Sequence, residues 1–95
     1  MKPQHEWSYL DNLLVITDFF RSYKTTDYEV LISRIASKIG TSSASVKMKL
    51  SNIIYILSNG TYGHSNYSED SRMAVFTFLK NNPDLSINRL IMILK

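Results

Sequence analysis

Ala36, Gly40 and Val46 constrain this chain more than any other residues. An alanine is followed four residues later by a glycine and six residues after that by a valine. Ile35 and Ile39 supply apolar contacts just before the glycine. Ala36 is small where two helices would cross. Gly40 takes the left-handed backbone that ends one helix and opens a turn at little steric cost. Thr41, Ser42 and Ser43 are each able to cap the helix that follows. The spacing predicts a helix-turn-helix over about residues 28–57, with its second helix over 43–57. One position is out of pattern: Lys49 stands where a third apolar anchor is usual, and Leu50 follows it. Helical hairpins with a glycine turn also serve purely structural roles, so the turn alone does not define a function.

The remaining apolar residues extend the same helical spacing and predict an all-α fold of about five helices. Residues 1–6 read as a flexible arm and 7–95 as a single helical domain. The first helix places Trp7, Leu10, Leu13, Leu14, Thr17 and Phe20 on one broad face, with Val15, Ile16 and Phe19 beside it. In the second helix Tyr28, Ile32, Ile35, Ala36 and Ile39 share a face at steps of three and four. The third carries Val46, Leu50, Ile53, Ile54 and Leu57. A long polar loop from Ser58 to Asp70 follows, with Gly60 and Gly63 as turn points and weak alternation compatible with a short β wing. Ser68 or Ser71 is placed to cap the fourth helix, whose apolar stripe reads Val75, Phe76 and Leu79. Ile87, Leu90, Ile91 and Leu94 define a fifth.

Charge locates the candidate site. Residues 1–30 hold five acids against three bases, whereas residues 31–58 hold Arg34, Lys38, Lys47 and Lys49 and no acid. Excess positive charge on a helix-turn-helix raises the local concentration of a polyanion such as nucleic acid. At 100° per residue, the third-helix face opposite the core stripe shows Ala44, Ser45, Met48, Ser51, Asn52 and Tyr55, flanked by Lys47 and Lys49. Small residues let a helix approach base edges, Asn pairs with adenine and Ser with several bases. The expected DNA-binding residues are therefore Ser42, Ser43, Ser45, Met48 and Asn52 in the groove. Lys38, Lys47, Lys49 and Arg72 are expected at phosphates. Tyr62, His64 and Asn66 of the loop are candidates for contacts beside them. The apolar row Ala44, Met48 and Tyr55 fits packing on another helix or on a partner protein equally well.

Other chemistries find little support. There is no cysteine, hence no disulfide or thiolate metal site. His64 has no second His or Cys near it, so no metal or other cofactor is expected. No Ser/His/Asp set or carboxylate pair emerges at helical spacing, and no enzymatic activity is expected. No apolar run reaches bilayer length and the amino terminus lacks the apolar core of a signal peptide. The chain reads as soluble and cytoplasmic, with no membrane partner.

Two short motifs carry a family resemblance. Val46-Lys-Met48-Lys49-Leu50-Ser-Asn52, followed after a loop by Gly63-His-Ser65-Asn66-Tyr-Ser68, resembles the small helical module at the amino end of some bacterial and phage HNH-type endonucleases. Trp7 near the start of the first helix is similar too. The resemblance spans roughly residues 7–78 and implies a helical, DNA-recognising module with Lys49 and Asn52 on the DNA side and Ser65, Asn66 and Ser68 fixing the loop. The nuclease domain of that family has no counterpart in this chain, and Ser71 stands where the family carries an acid. The expected function is thus a small DNA-binding protein of a bacterium, phage or plasmid, transcriptional or accessory, with double-stranded DNA as partner and a homodimer as the usual way for so small a module to gain affinity. The alternative is a phage-encoded inhibitor or adaptor that binds a host protein such as a defence nuclease (an anti-restriction or anti-CRISPR role).

Overall fold

A computed structural model describes residues 6–85 together with Asn88 and Met92. Four helices occur in this range: α1 (Tyr9–Ser22), α2 (Tyr28–Ile39), α3 (Ser43–Leu57) and α4 (Glu69–Asn81). The class is all-α, with four helices among the described residues where the sequence predicts about five. The expected fifth helix lies outside the described residues, as does all of the expected arm except Glu6. No strand forms among the described residues, so the 58–70 segment is a loop and not a wing. No described helix is long and apolar enough to cross a membrane.

The boundaries follow from local chemistry. Ser8 caps α1 reciprocally: its hydroxyl accepts from the Asp11 backbone N–H at 3.1 Å, and the Asp11 carboxylate accepts from the Ser8 N–H at 3.4 Å. Gly40 ends α2 at φ +87°, with its N–H donating to the Ala36 carbonyl. Ser42 caps α3 through the Ser45 N–H, and Ser68 caps α4 through the Ser71 N–H.

The core joins all four helices. Val15, Ile16 and Phe19 come from α1, and Leu31, Ile32, Ile35 and Ala36 from α2. Val46, Leu50, Ile53 and Leu57 come from α3, and Ala74, Val75 and Phe78 from α4. The α2 and α3 stripes match the sequence spacing, except that Tyr28 is largely exposed and meets Phe19 edge-on, 6.2 Å between ring centroids. The other two faces differ from expectation. In α1 the buried line is Asn12, Val15, Ile16 and Phe19, while Leu10 is 71% exposed. In α4 it is Ser71, Ala74, Val75 and Phe78, while Phe76 is 53% exposed. Both lines run i, i+3, i+4, i+7, and both begin with a polar residue. A reading that assigns only apolar residues to the core therefore slips in phase.

The loop between α3 and α4 folds back on α3. The Ser58 hydroxyl accepts from the Tyr62 N–H at 2.9 Å, and the His64 N–H donates to the Ser51 carbonyl at 3.1 Å. Gly63 makes this approach possible. It sits at φ +87°, and a Cβ there would lie 2.3 Å from the Ser51 carbonyl oxygen and 2.8 Å from the Tyr55 nitrogen.

Candidate functional site

The amino end of α3 projects beyond the three-residue turn Gly40–Ser42. Ser42, Ala44, Lys47 and Met48 are exposed, and Ser43 and Ser45 are partly so. The two hydroxyls at this end bond each other, with Ser42 Oγ donating to Ser45 Oγ at 3.1 Å. Four of the expected groove residues, Ser42, Ser43, Ser45 and Met48, thus lie together on one helix end, with Lys47, expected at a phosphate, beside them. The carboxyl half of the same face is covered, because the loop crosses it at Ser51.

Lys49 and Asn52 are a correction. They are 7% and 5% exposed, so neither side chain reaches a groove or a phosphate from this position. Lys49 does occupy the third anchor position of the turn pattern, as a buried residue. Its ammonium donates to Ser71 Oγ at 3.2 Å and lies 5.1 Å from the centre of the Trp7 ring. Ser71 in turn donates to Asn12 Oδ1 at 2.7 Å, and Asn12 Nδ2 donates to the Ser8 carbonyl at 2.7 Å. The Ser71 proton is committed to Asn12, so the Ser68 hydroxyl at 3.1 Å is the donor of that pair and Ser71 is fully satisfied. Burial lowers the basicity of Lys49 below its ordinary value, opposed in part by the Asp70 carboxylate. Asn52 Oδ1 has no hydrogen-bond partner among the described residues.

The remaining expected cations are exposed but engaged. Lys47 Nζ bonds Glu29 at 3.0 Å and lies 5.9 Å from the Tyr28 ring centre. Lys38 bonds Asp18 at 2.7 Å. Arg72 pairs through two nitrogens with Glu69, and its guanidinium stands 5.3 Å from the Phe76 ring centre. The Arg72 hydrogen bond holds the Glu69 carboxyl below the usual carboxylate range. Arg34 is exposed on α2 with no ion pair among the described residues. The acid-free stretch 31–58 is therefore not an acid-free surface: α1 and α2 bring Asp18 and Glu29 to it. Sequence reasoning missed these two carboxylates and Asn12, because their partners lie 20, 18 and 59 residues away.

In the loop, Tyr62, His64 and Asn66 are all exposed, and the Asn66 N–H donates to His64 Nδ1 at 3.3 Å. The Ser65 backbone carbonyl accepts from the Tyr67 N–H at 3.0 Å, and the Ser68 hydroxyl caps α4. No group of His, Cys, Asp or Glu side chains able to hold a metal ion occurs among the described residues. No family model matches the chain, and no curated protein or solved structure was found to match it.

Proposed function

We propose that the chain is a small helix-turn-helix protein that binds double-stranded DNA through the amino end of α3. One observation carries this reading. Behind a three-residue turn, α3 presents an exposed end made of small and hydroxyl side chains with one lysine at its edge. A recognition helix meets base edges with its amino-terminal residues, and Ser and Ala there let the backbone come close. Ser42, Ser43, Ser45 and Met48 would face the groove. Lys47 and Lys38 would exchange their carboxylate partners for phosphates, and Arg72 would do so from the loop side. Lys49 and Asn52 take no part except as core residues. The role would be transcriptional or accessory, in a bacterium, phage or plasmid.

The test is titration of a mixed-sequence duplex at two salt concentrations. Micromolar affinity that weakens as salt rises supports the reading, that being the range of backbone-driven binding. Folded protein that binds no duplex at low salt overturns it.

A second reading, a protein-binding adaptor or inhibitor, is favoured by Met48, which is 52% exposed at the same helix end. Met48→Ser and Lys47→Ala separate the two. A DNA reader loses affinity with the lysine, whereas a protein binder loses it with the methionine.

A further inference from the structure

Beyond the covered part of α3, a cleft of about 330 Å³ opens between the end of that helix, the turn after it and the outer face of α4. Three aromatic rings line it: Tyr55, Tyr67 and Phe76. The Tyr55 and Tyr67 rings form a tilted pair, 5.8 Å between centroids at 40°. Phe76 stands half exposed across from them, with the Arg72 guanidinium near its ring. The wall is the turn Asn59–Gly60, both at positive φ, which the Ser58 hydroxyl holds through Tyr62. Asparagine and glycine both adopt the left-handed region readily, so the turn forms at little cost. Nothing in the core requires Phe76 or Tyr67 to be aromatic, since both sit outside it.

We propose that this cleft binds a nucleobase that has left its stack. A flat heteroaromatic ring suits a cleft lined by aromatic rings, and an arginine beside an aromatic ring extends the stacking surface. Placement favours a base. Tyr55 lies on the same line of α3 as Met48, two turns on, or about 10 Å along the axis. A strand held at the amino end of α3 passes within reach. The inference therefore deepens the nucleic-acid reading by adding a site for an unpaired base next to a duplex.

The experiment uses the full chain and 2-aminopurine, whose fluorescence is quenched on stacking. It is presented in a single-stranded oligonucleotide, in the overhang of a duplex, and as the free nucleoside monophosphate. Quenching that is lost, with at least about fivefold weaker binding, in Phe76→Ala and Tyr67→Ala supports the cleft. Phe76 and Tyr67 are exposed, and retained helical circular dichroism confirms that the variants are folded. Quenching of the oligonucleotides alone assigns the base to a strand. Equal quenching by the monophosphate assigns it to a free nucleotide. The cleft is overturned if the folded parent quenches none of the three, or if both variants quench as the parent does. The α3 reading fails separately, if the folded parent binds no blunt duplex at low salt; where it does bind, Lys47→Ala weakens that binding and Phe76→Ala leaves it unchanged.

Discussion

Lys49 is a cation among apolar side chains, with a serine hydroxyl and an indole ring as its nearest company. Desolvation of such a group commonly outweighs what its partners return. Ser71 keeps Asn12 and Ser68 as partners without it, so Lys49→Met removes the buried charge and orphans nothing. We expect this variant to match or exceed the parent in urea unfolding at neutral pH, by up to about 1 kcal/mol. The pH dependence has a fixed sign. The folded value lies below the ordinary 10.5, so between the two the unfolded chain binds more protons and the contribution of Lys49 to stability rises with pH. The advantage of Lys49→Met therefore shrinks as pH climbs toward that value. A variant clearly less stable than the parent at neutral pH contradicts this. The glycines offer a second comparison at this scale. Gly40 and Gly63 share φ +87°, but a Cβ at Gly40 meets nothing within 4 Å, while one at Gly63 strikes the α3 backbone. Gly40→Ala should cost about 1 kcal/mol for its backbone alone. Gly63→Ala should cost at least about 2 kcal/mol and lift the loop from Ser51. Equal losses in thermal unfolding would show that the loop does not pack as described.

The helices divide into those legible in the sequence and those only half legible. The bounds of α2 and α3 coincide with the spacing read from Gly40 and the serines after it. For α1 and α4 the existence and ends were clear, but not the buried face. Asn12 and Ser71 lead their stripes, and a polar residue at the head of a stripe turns the apparent apolar face by one position. The same blindness hid Lys49 and Asn52. Asn and Lys are placed outside by default, and only the assembly of α1, α3 and α4 shows the hydrogen-bonded chain through Ser71 and Asn12 that takes Lys49 in. The amino end of α3, by contrast, was legible because its cap is local. Ser42 satisfies the Ser45 N–H across three residues. Ser42→Ala should cost about 1 kcal/mol. Amide exchange should quicken first at Ser45 and Val46, ahead of the rest of α3. Uniform quickening along the helix would mean that the cap does not govern this end.

Across the whole molecule the formal net charge of +3 already sets the eight acids against the eleven bases, but the expected phosphate contacts are not free cations. Lys38, Lys47 and Arg72 are each paired with a carboxylate of the same chain, and Lys49 is buried. The exposed pairs Lys47–Glu29 and Arg72–Glu69 are worth about 0–1 kcal/mol each, little enough for a phosphate to displace them, whereas Asp18 is largely covered and holds Lys38 more firmly. Phosphate contacts from these three cations give duplex binding a log–log salt slope of about −3. The pairing across α2 and α3 supplies the most direct test of the account. Duplex affinity is measured at low salt for the parent, Lys47→Ala and Glu29→Gln. Lys47→Ala removes a phosphate contact and should weaken binding. Glu29→Gln frees the lysine and removes a repelling charge, and should tighten binding by about two- to fivefold with stability unchanged. Opposite shifts place the amino end of α3 against the DNA backbone; affinity that both substitutions leave untouched, or a folded parent that binds no duplex, contradicts it.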